Sequence, residues 1–393
     1  SDDATVSVGD DLTVNAKDVR VRGEGDFDLR TSGAGTVSSN SVDMSVDAGL
    51  SVSAGGAVGI TSASVDVSSS TSVAVSTGSL SLDSAAATEV FSGTSLTATT
   101  TTLEAHSAED TALTAGGRVT TTSADATVNV GDTLDVSAAS TRVRNSGVVD
   151  VFAKEGTRLT STDMAMSVGD EVQILGGNEV VLTTETLALN ADTSAGISAR
   201  GMAMSVNDAL TATVGSATTV TSTDVNVDAG DDITLSGVDA AKVEMATVQV
   251  TTASGLTAEV GTETSVVSQA LKVDVVSDTK VSTADMALEA SGTMSVSGQE
   301  SLTVSAGTVA LDAAQDGTIR MGGDAVLAAG DGIRMASVTA LDVVTGGTAS
   351  VISNELDVSV DSAVRGSMDS LSVGVSDDAT VSVGDDLTVN AKD

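Results

Sequence analysis

Few side chains in this sequence could take part in acid–base chemistry. His106 is the only histidine among 393 residues, and Glu104 lies two positions before it. A histidine beside a carboxylate could act as a general base. His106 alternates with the apolar residues Leu103 and Ala105, which places it on the solvated side of a short strand. We therefore predict no catalytic residue and no enzymatic activity.

Carboxylate pairs are the second candidate for chemistry. Acids spread along the whole chain suit solubility better than a single catalytic site. Oxygen ligands on neighbouring segments could hold calcium, but the sequence contains neither an RTX nonapeptide nor an EF-hand loop. We expect diffuse cation binding, with calcium as the candidate ion, and no cofactor and no discrete metal site. The pairs are Asp10/Asp11, Asp170/Glu171, Asp231/Asp232 and Asp385/Asp386.

A short threonine row and several arginines complete the set of candidate functional residues. Thr97, Thr99 and Thr101 alternate as in β-coils that bind ice, but one predicted turn later the row becomes Ala112, Thr114 and Gly116. We therefore predict no ice-binding surface. The arginines are predicted to point outward and to pair with acids, at about 0–1 kcal/mol per pair. They are Arg20, Arg22, Arg142, Arg144, Arg320 and Arg334.

The composition excludes several classes of protein. The chain has 17 Lys and Arg against 55 Asp and Glu, a net charge of −38, which opposes binding to nucleic acid or anionic lipid. It has no cysteine, so a disulfide framework and thiolate metal sites are excluded. No apolar stretch approaches the roughly 18 residues of a membrane span. We expect no nucleic-acid partner and no membrane insertion.

Apolar pairs spaced i, i+2 recur along the chain and predict short strands with one buried face. Their first members are separated by alternating intervals of eight and seven positions, so the repeating unit is about seven and a half residues. A helix would place apolar residues three and four apart. The sequence therefore predicts an all-β protein built from strand-turn units. The clearest pairs are Leu50/Val52, Val58/Ile60, Val65/Val67, Val73/Val75 and Leu80/Leu82.

Strands this short must bury their apolar face against the next repeat, which predicts a parallel β-solenoid. The absence of proline agrees, because nearly every residue must donate its N–H along the axis. Glycines at 9, 55 and 56 are expected in turns that need a left-handed φ. We favour a flat, two-sided coil with 15-residue turns. An intertwined homotrimer and a single-chain triangle with three units a turn remain open alternatives.

A longer repeat is superimposed on these units. Residues 1–18 and 376–393 have the same eighteen letters, and the 375-residue block that separates their starts is equal to fifty units. Residues 125–144 are a weaker copy of residues 3–22. We interpret residues 1–393 as one continuous solenoid and as a window of a longer tandem array. Within it, Val6, Val8, Leu12 and Val14 are predicted to face inward and the serines, threonines and acids to form the surface.

Residues 50–67, LSVSAGGAVGITSASVDV, and 301–314, SLTVSAGTVALDAA, carry a family resemblance. They resemble the β-solenoid repeats of giant microbial surface proteins and the β-helix shafts of phage-tail and injection-system spikes. The first resemblance implies a structural subunit of an extracellular filament, appendage or surface fibre, whose partner is the protein itself, head to tail and in lateral contacts. The second implies the shaft of a spike. A polysaccharide-active β-helix is a third, less favoured hypothesis.

Overall fold

A computed structural model gives the fold of the chain as two compact units, Ser1–Arg200 and Gly201–Asp393. All regular structure within the described residues is β-strand. The structure describes residues 3–168, 170–177, 179–191, 194–206, 210–214, 217–229, 233–237, 240–252, 256–260, 263–268, 270–275, 277 and 279–391.

The strands of the first unit are short at its start and lengthen where two of them join across a corner. They are β1 (Ala4–Val8), β2 (Leu12–Asn15), β3 (Asp18–Gly23), β4 (Phe27–Thr31), β5 (Gly35–Val46), β6 (Leu50–Ala54), β7 (Ala57–Ser69), β8 (Ser72–Ser76), β9 (Ser79–Ser84), β10 (Thr88–Ser92), β11 (Ser95–Thr99), β12 (Thr102–Ser107), β13 (Thr111–Ser123), β14 (Asp125–Val130), β15 (Thr133–Asn145), β16 (Val149–Ala153), β17 (Gly156–Val168), β18 (Glu171–Gly176) and β19 (Glu179–Ala191).

Strand β20 (Ser194–Val206) includes the boundary between the units, and the second unit continues in the same style. Its strands are β21 (Leu210–Val214), β22 (Ala217–Ala229), β23 (Ile233–Gly237), β24 (Ala240–Thr252), β25 (Leu256–Val260), β26 (Glu263–Ser268), β27 (Ala270–Val275), β28 (Thr279–Ser282), β29 (Asp285–Ala290), β30 (Met294–Gly298), β31 (Leu302–Ala313), β32 (Asp316–Met321), β33 (Ala325–Ser337), β34 (Ala340–Thr345), β35 (Thr348–Ser353), β36 (Glu355–Val360), β37 (Ala363–Met368), β38 (Ser370–Val375), β39 (Ala379–Val383) and β40 (Asp386–Ala391).

Strand pairing shows a parallel β-solenoid with three sides. Strands β1, β2 and β3 follow one another, and the next strand, β4, pairs in parallel with β1. Strand β5 is long enough to pair with both β2 and β3, so it covers two sides of the next turn. The second unit repeats this arrangement, with β33 pairing with both β35 and β36. The predicted all-β parallel solenoid is confirmed.

The predicted two-sided coil with 15-residue turns is wrong. Leu50 pairs with Val73 and Val58 with Leu80, and in each case two other apolar pairs lie between the partners, so one turn contains three units. The paired strands lie one three-unit turn apart in the same chain, which is the arrangement of the single-chain triangle. The seven-and-a-half-residue unit is correct. It could not fix the number of sides, because every unit carries the same apolar pattern.

The core is a stack of inward-facing ladders of small apolar side chains. One ladder in the first unit runs Val6, Leu29, Val52, Val75 and Ala98, each paired with the next. Farther from the start of the chain, inward residues such as Val42, Val130 and Val172 are almost completely buried. Such narrow ladders need no aromatic side chains, which explains how the chain folds with three phenylalanines.

The first turn follows the predicted alternation. Leu12 and Val14 are half-buried while Thr13 and Asn15 are exposed, as predicted. Val8 is half-buried and Ser7 exposed, whereas Val6 faces inward as predicted but is 40% exposed. Val6 has a paired turn on one side only, formed by β4, so half of its stacking surface stays uncovered.

Glycines lie at corners for a different reason from the one predicted. No described residue has a φ in the left-handed region. Instead the corners of successive turns approach closely. A Cβ on Gly93 would lie 1.9 Å from the carbonyl oxygen of Ser70, and one on Gly55 would lie 2.2 Å from that of Ser32. Glycine is needed there because any side chain would collide with the backbone of the preceding turn.

Candidate functional site

His106 lies on the outer face of β12, as predicted, and is exposed. It stands in an outward ladder between Asp83 of the preceding turn and Asn129 of the following turn. Its Nδ1 is 3.4 Å from Nδ2 of Asn129. Glu104 is exposed two residues away on the same strand. The histidine therefore contacts an amide of the next turn on an open surface, and this geometry supplies no enclosed general base.

Several acids at the corners accept a backbone hydrogen bond from the turn that follows. The Oδ1 atom of Asp11 accepts from the N–H of Ala34 at 2.7 Å, and Asp26 accepts from Gly49 at 2.7 Å. Asp125 accepts from Val148 at 3.1 Å. In each case the donor lies one full turn beyond the acceptor in the sequence. These carboxylates join successive turns, a role that was not predicted from the sequence.

The predicted carboxylate pairs do not form one common site. The Asp11 carboxylate accepts the N–H of Ala34 in the next turn. The backbone oxygen of Asp10 accepts a hydrogen bond from Thr31 Oγ1. Glu171 accepts a hydrogen bond from Gln173 within its own strand. Asp385 accepts from the hydroxyl of Ser362 at 3.1 Å. Asp170 and Asp386 are exposed, and Asp231 and Asp232 lie outside the described residues.

Three of the predicted arginines form ion pairs across turns. Nε of Arg20 is 3.2 Å and Nη2 of Arg22 is 3.4 Å from Oδ2 of Asp43. Nε of Arg334 is 3.6 Å from Oδ1 of Asp312. The arginine side chains are about two-thirds exposed, so solvent and salt screen these pairs. Arg144 and Arg320 are exposed and Arg142 is half-buried.

The threonine row extends farther than a two-sided turn predicted. With the observed register, Thr97 pairs with Thr120 and Thr99 with Thr122. The following turn replaces both threonines by Arg142 and Arg144. The prediction that the row ends after one turn was wrong, because it compared residues that lie on different sides. The observed patch is two turns deep.

Buried hydroxyls at the ends of strands are the most consistent polar feature, and the prediction that serines and threonines form the surface is wrong for them. We call them corner hydroxyls. Each faces inward where its strand ends and donates to a carbonyl oxygen at a corner. Ser107 Oγ, for example, lies 2.6 Å from the oxygen of Ala86 in the preceding turn and 3.3 Å from that of Asp110 in its own corner. The corner hydroxyls are Thr31, Ser69, Ser84, Ser92, Thr100, Ser107, Thr283, Ser337, Thr345 and Ser353.

The corner hydroxyls add a second donor to carbonyl oxygens that already accept a backbone N–H. The oxygen of Ala86, for example, accepts the N–H of Glu109 at 3.4 Å, and that of Asp110 accepts the N–H of Thr88 at 2.9 Å. Ser62, Ser84 and Ser107 occupy equivalent positions in three successive turns. Corner hydroxyls also lie between Ser84 and Ser107, at Ser92 and Thr100, so they recur at every corner and do not mark the length of a turn in the sequence.

Asp274 is the one described acid with a clearly displaced pKa. The hydrogen bond from Lys272 lowers its pKa most, and the hydroxyl of Ser297, one turn on, lowers it further. Partial burial opposes this effect. Asp274 therefore stays ionised in acid more readily than a free aspartate and joins two turns through its contact with Ser297.

The described residues contain no group of three or more His, Cys, Asp or Glu side chains arranged to hold a metal ion. Within the same residues no helix is long and apolar enough to cross a membrane. Comparison with protein-family models, curated protein sequences and solved structures gives no match.

Proposed function

We propose that this protein is a structural section of a long filament, appendage or surface fibre outside the cell, with no catalytic role. The observation that carries the proposal is the identity of residues 1–18 with residues 376–393. A solenoid turn needs only an adjacent turn to complete its core, so a tandem array of such blocks can extend indefinitely. The fold suits length and stiffness rather than the enclosure of a ligand.

The contacts between turns support a mechanical role. Backbone hydrogen bonds such as Ala4 N to Asp26 O and Leu12 N to Ala34 O, both 2.8 Å, run from each turn to the next. Corner hydroxyls and corner carboxylates add further bonds in the same direction. Tension along the coil axis would therefore load many parallel hydrogen bonds at every level.

The acidic surface supports a fibre that stays hydrated and does not bind nucleic acid or anionic lipid. At a net charge of −38, neighbouring fibres would repel each other, which limits lateral sticking of a fold made of strands. We expect cations, calcium among them, to screen this charge diffusely. Chelation at neutral pH should then leave the β-structure intact, as circular dichroism before and after adding a chelator would show.

The filament is preferred to the spike shaft because strands pair with strands of their own chain one turn away, so that three units of one chain complete a turn. It is preferred to a polysaccharide-active β-helix because corner acids such as Asp11 and Asp125 accept backbone hydrogen bonds.

Electron microscopy of material from producing cells, labelled with an antibody to this chain, tests the proposal. Three-unit turns give about 17 turns for each block of fifty units, and strands stack ~4.8 Å apart, so the axial repeat should be roughly 80 Å. A repeat of roughly 120 Å would indicate two-sided turns. Antibody bound only to compact particles, or only inside cells, would overturn the filament.

A further inference from the structure

The second unit ends in an uncovered apolar face. Strands β38, β39 and β40 pair with the preceding turn on one side. On the other side their inward side chains are exposed, with Val381 at 54% and Leu387 at 57%. We call this surface the end face. Its residues are Leu371, Val373, Val381, Leu387 and Val389.

Part of the end-face sequence also occurs at the start of the chain, where the turn that follows covers it. Residues 376–393 repeat residues 1–18, and in that first copy the following turn is present. There Val6, the equivalent of Val381, pairs with Leu29. Val14, the equivalent of Val389, pairs with Val37. The two copies therefore have different neighbours. The copy at the end of the chain pairs with the turn before it, and the copy at the start pairs with the turn after it.

We propose that the end face is covered by the next copy of the block, through a turn with the sequence of residues 19–46. This inference rests on the proposed tandem array and names the contact that continues it. The combined ladders are compatible. Val358, Val381 and Leu29 form one apolar column, and Val364, Leu387 and Gly35 alternate large and small side chains in another.

The outward positions are compatible as well. Asp357 pairs with Thr380, and the equivalent of Thr380, Thr5, pairs with Asp28, so a threonine separates the two acids. Asp386 is the equivalent of Asp11, whose Oδ1 accepts the N–H of Ala34. The join would thus gain a corner carboxylate bond of the kind found in the first turn.

Hydrogen exchange on extended chains tests this contact. The full chain is compared with two extended versions. In the native-order extension the segment 19–46 follows Asp393 directly. In the reordered extension the same residues follow in an order that moves the apolar side chains to outward positions. The native-order extension should slow exchange of the Ala379 and Leu387 amides at least tenfold, because the equivalent amides of Ala4 and Leu12 donate to the following turn. The reordered extension should not.

A pair of variants distinguishes strand pairing at the end face from non-specific burial of its apolar side chains. In the native-order extension, Val389→Asp should abolish the protection, whereas Asn390→Asp, at an outward position of the same strand, should preserve it. Equal exchange in both extensions, or no protection in either, would overturn the inference. So would concentration-dependent protection of 379–391 in the unextended chain, which would show that separate molecules cover the end face. The assay reports pairing alone, so its result is independent of whether microscopy finds filaments.

Discussion

The first turn of the chain and the interior segment 125–144 have closely similar sequences and very different surroundings. Residues 3–22 are paired only with the turn that follows them. Residues 125–144 are paired on both sides. Val130 and Leu134 are 2% and 3% exposed, whereas their equivalents Val8 and Leu12 are only half-buried.

This difference shows that burial in the solenoid is supplied by neighbouring turns and not by the segment itself. The first corner bond is the same in both places, although one strand, β15, stands in the interior copy where the first turn has β2 and β3. Asp3 accepts the N–H of Asp26, and its equivalent Asp125 accepts the N–H of Val148. A segment therefore adopts its strands and corner bonds with one neighbour, but it needs two to complete its core.

The largest expected effect comes from a charge placed on the two equivalent valines. Val130→Asp buries an unpaired carboxylate between two turns and should lower the free energy of unfolding by about 3–5 kcal/mol. Val8→Asp leaves the carboxylate partly in water and should cost about 1 kcal/mol. Thermal unfolding of both variants, followed by circular dichroism, measures the difference.

The extent of the lost exchange protection along the chain provides the control for these two variants. A solenoid turn contacts only adjacent turns, so loss of exchange protection in Val130→Asp should concentrate at 103–107 and 149–153, the strand segments paired with β14. Equal costs for the two variants, or uniform loss of protection along the chain, would contradict the idea that burial depends on the number of neighbours.

The sequence predicted the parts of this fold that each unit carries by itself. Apolar pairs such as Leu50/Val52 gave the strands, their inward faces and the unit length. The number of sides was not predictable from those pairs, because two and three units per turn bury them equally well. The corner hydroxyls do not reveal the number of sides either, because Ser84, Ser92, Thr100 and Ser107 lie at successive corners.

The candidate sites show the same limit. The exposure of His106 and the pairing of Arg20 with an acid followed from alternation and charge. The role of Asp125 did not, because its donor belongs to the next turn and only the turn length brings the two together. Contacts between turns become predictable only after the number of units per turn is known.

Removal of a corner hydroxyl should have the next largest effect. Ser107→Ala removes the buried hydroxyl that donates to the carbonyl oxygens of Ala86 and Asp110, which both keep a backbone N–H donor, and should cost about 1 kcal/mol. Ser137→Ala is the matched control, because Ser137 is exposed on the outer face of β15. Chemical denaturation of the two variants measures the difference. Equal stability of the two would show that water replaces the corner hydroxyl without cost.

Removal of the corner carboxylate common to both segments should have a smaller, local effect. In Asp125→Ala the N–H of Val148 loses its acceptor, so its exchange should accelerate about fivefold. Asp3→Ala should do the same for the N–H of Asp26. Asp125→Asn keeps an acceptor oxygen and should restore most of the protection. If neither alanine variant changed exchange at its partner, the corner carboxylates would have no role in joining turns.

The smallest effect concerns Asp274, which joins two turns in the second unit while remaining partly exposed. Lys272 and then Ser297 lower its pKa, so the folded chain favours the ionised carboxylate and gains stability from it above the ordinary aspartate pKa of 3.8. That contribution should disappear as pH falls below 3.8 through the lower pKa of the folded state. Asp274→Asn should therefore unfold at a slightly lower temperature than the unmodified chain near pH 6, and the gap should close in stronger acid. Lys272→Met should raise the pKa of Asp274, measured by carboxyl NMR titration, because it removes the largest cause of the shift. A gap that widened in acid would reverse the sign of this linkage and show that the carboxylate destabilises the join between the two turns.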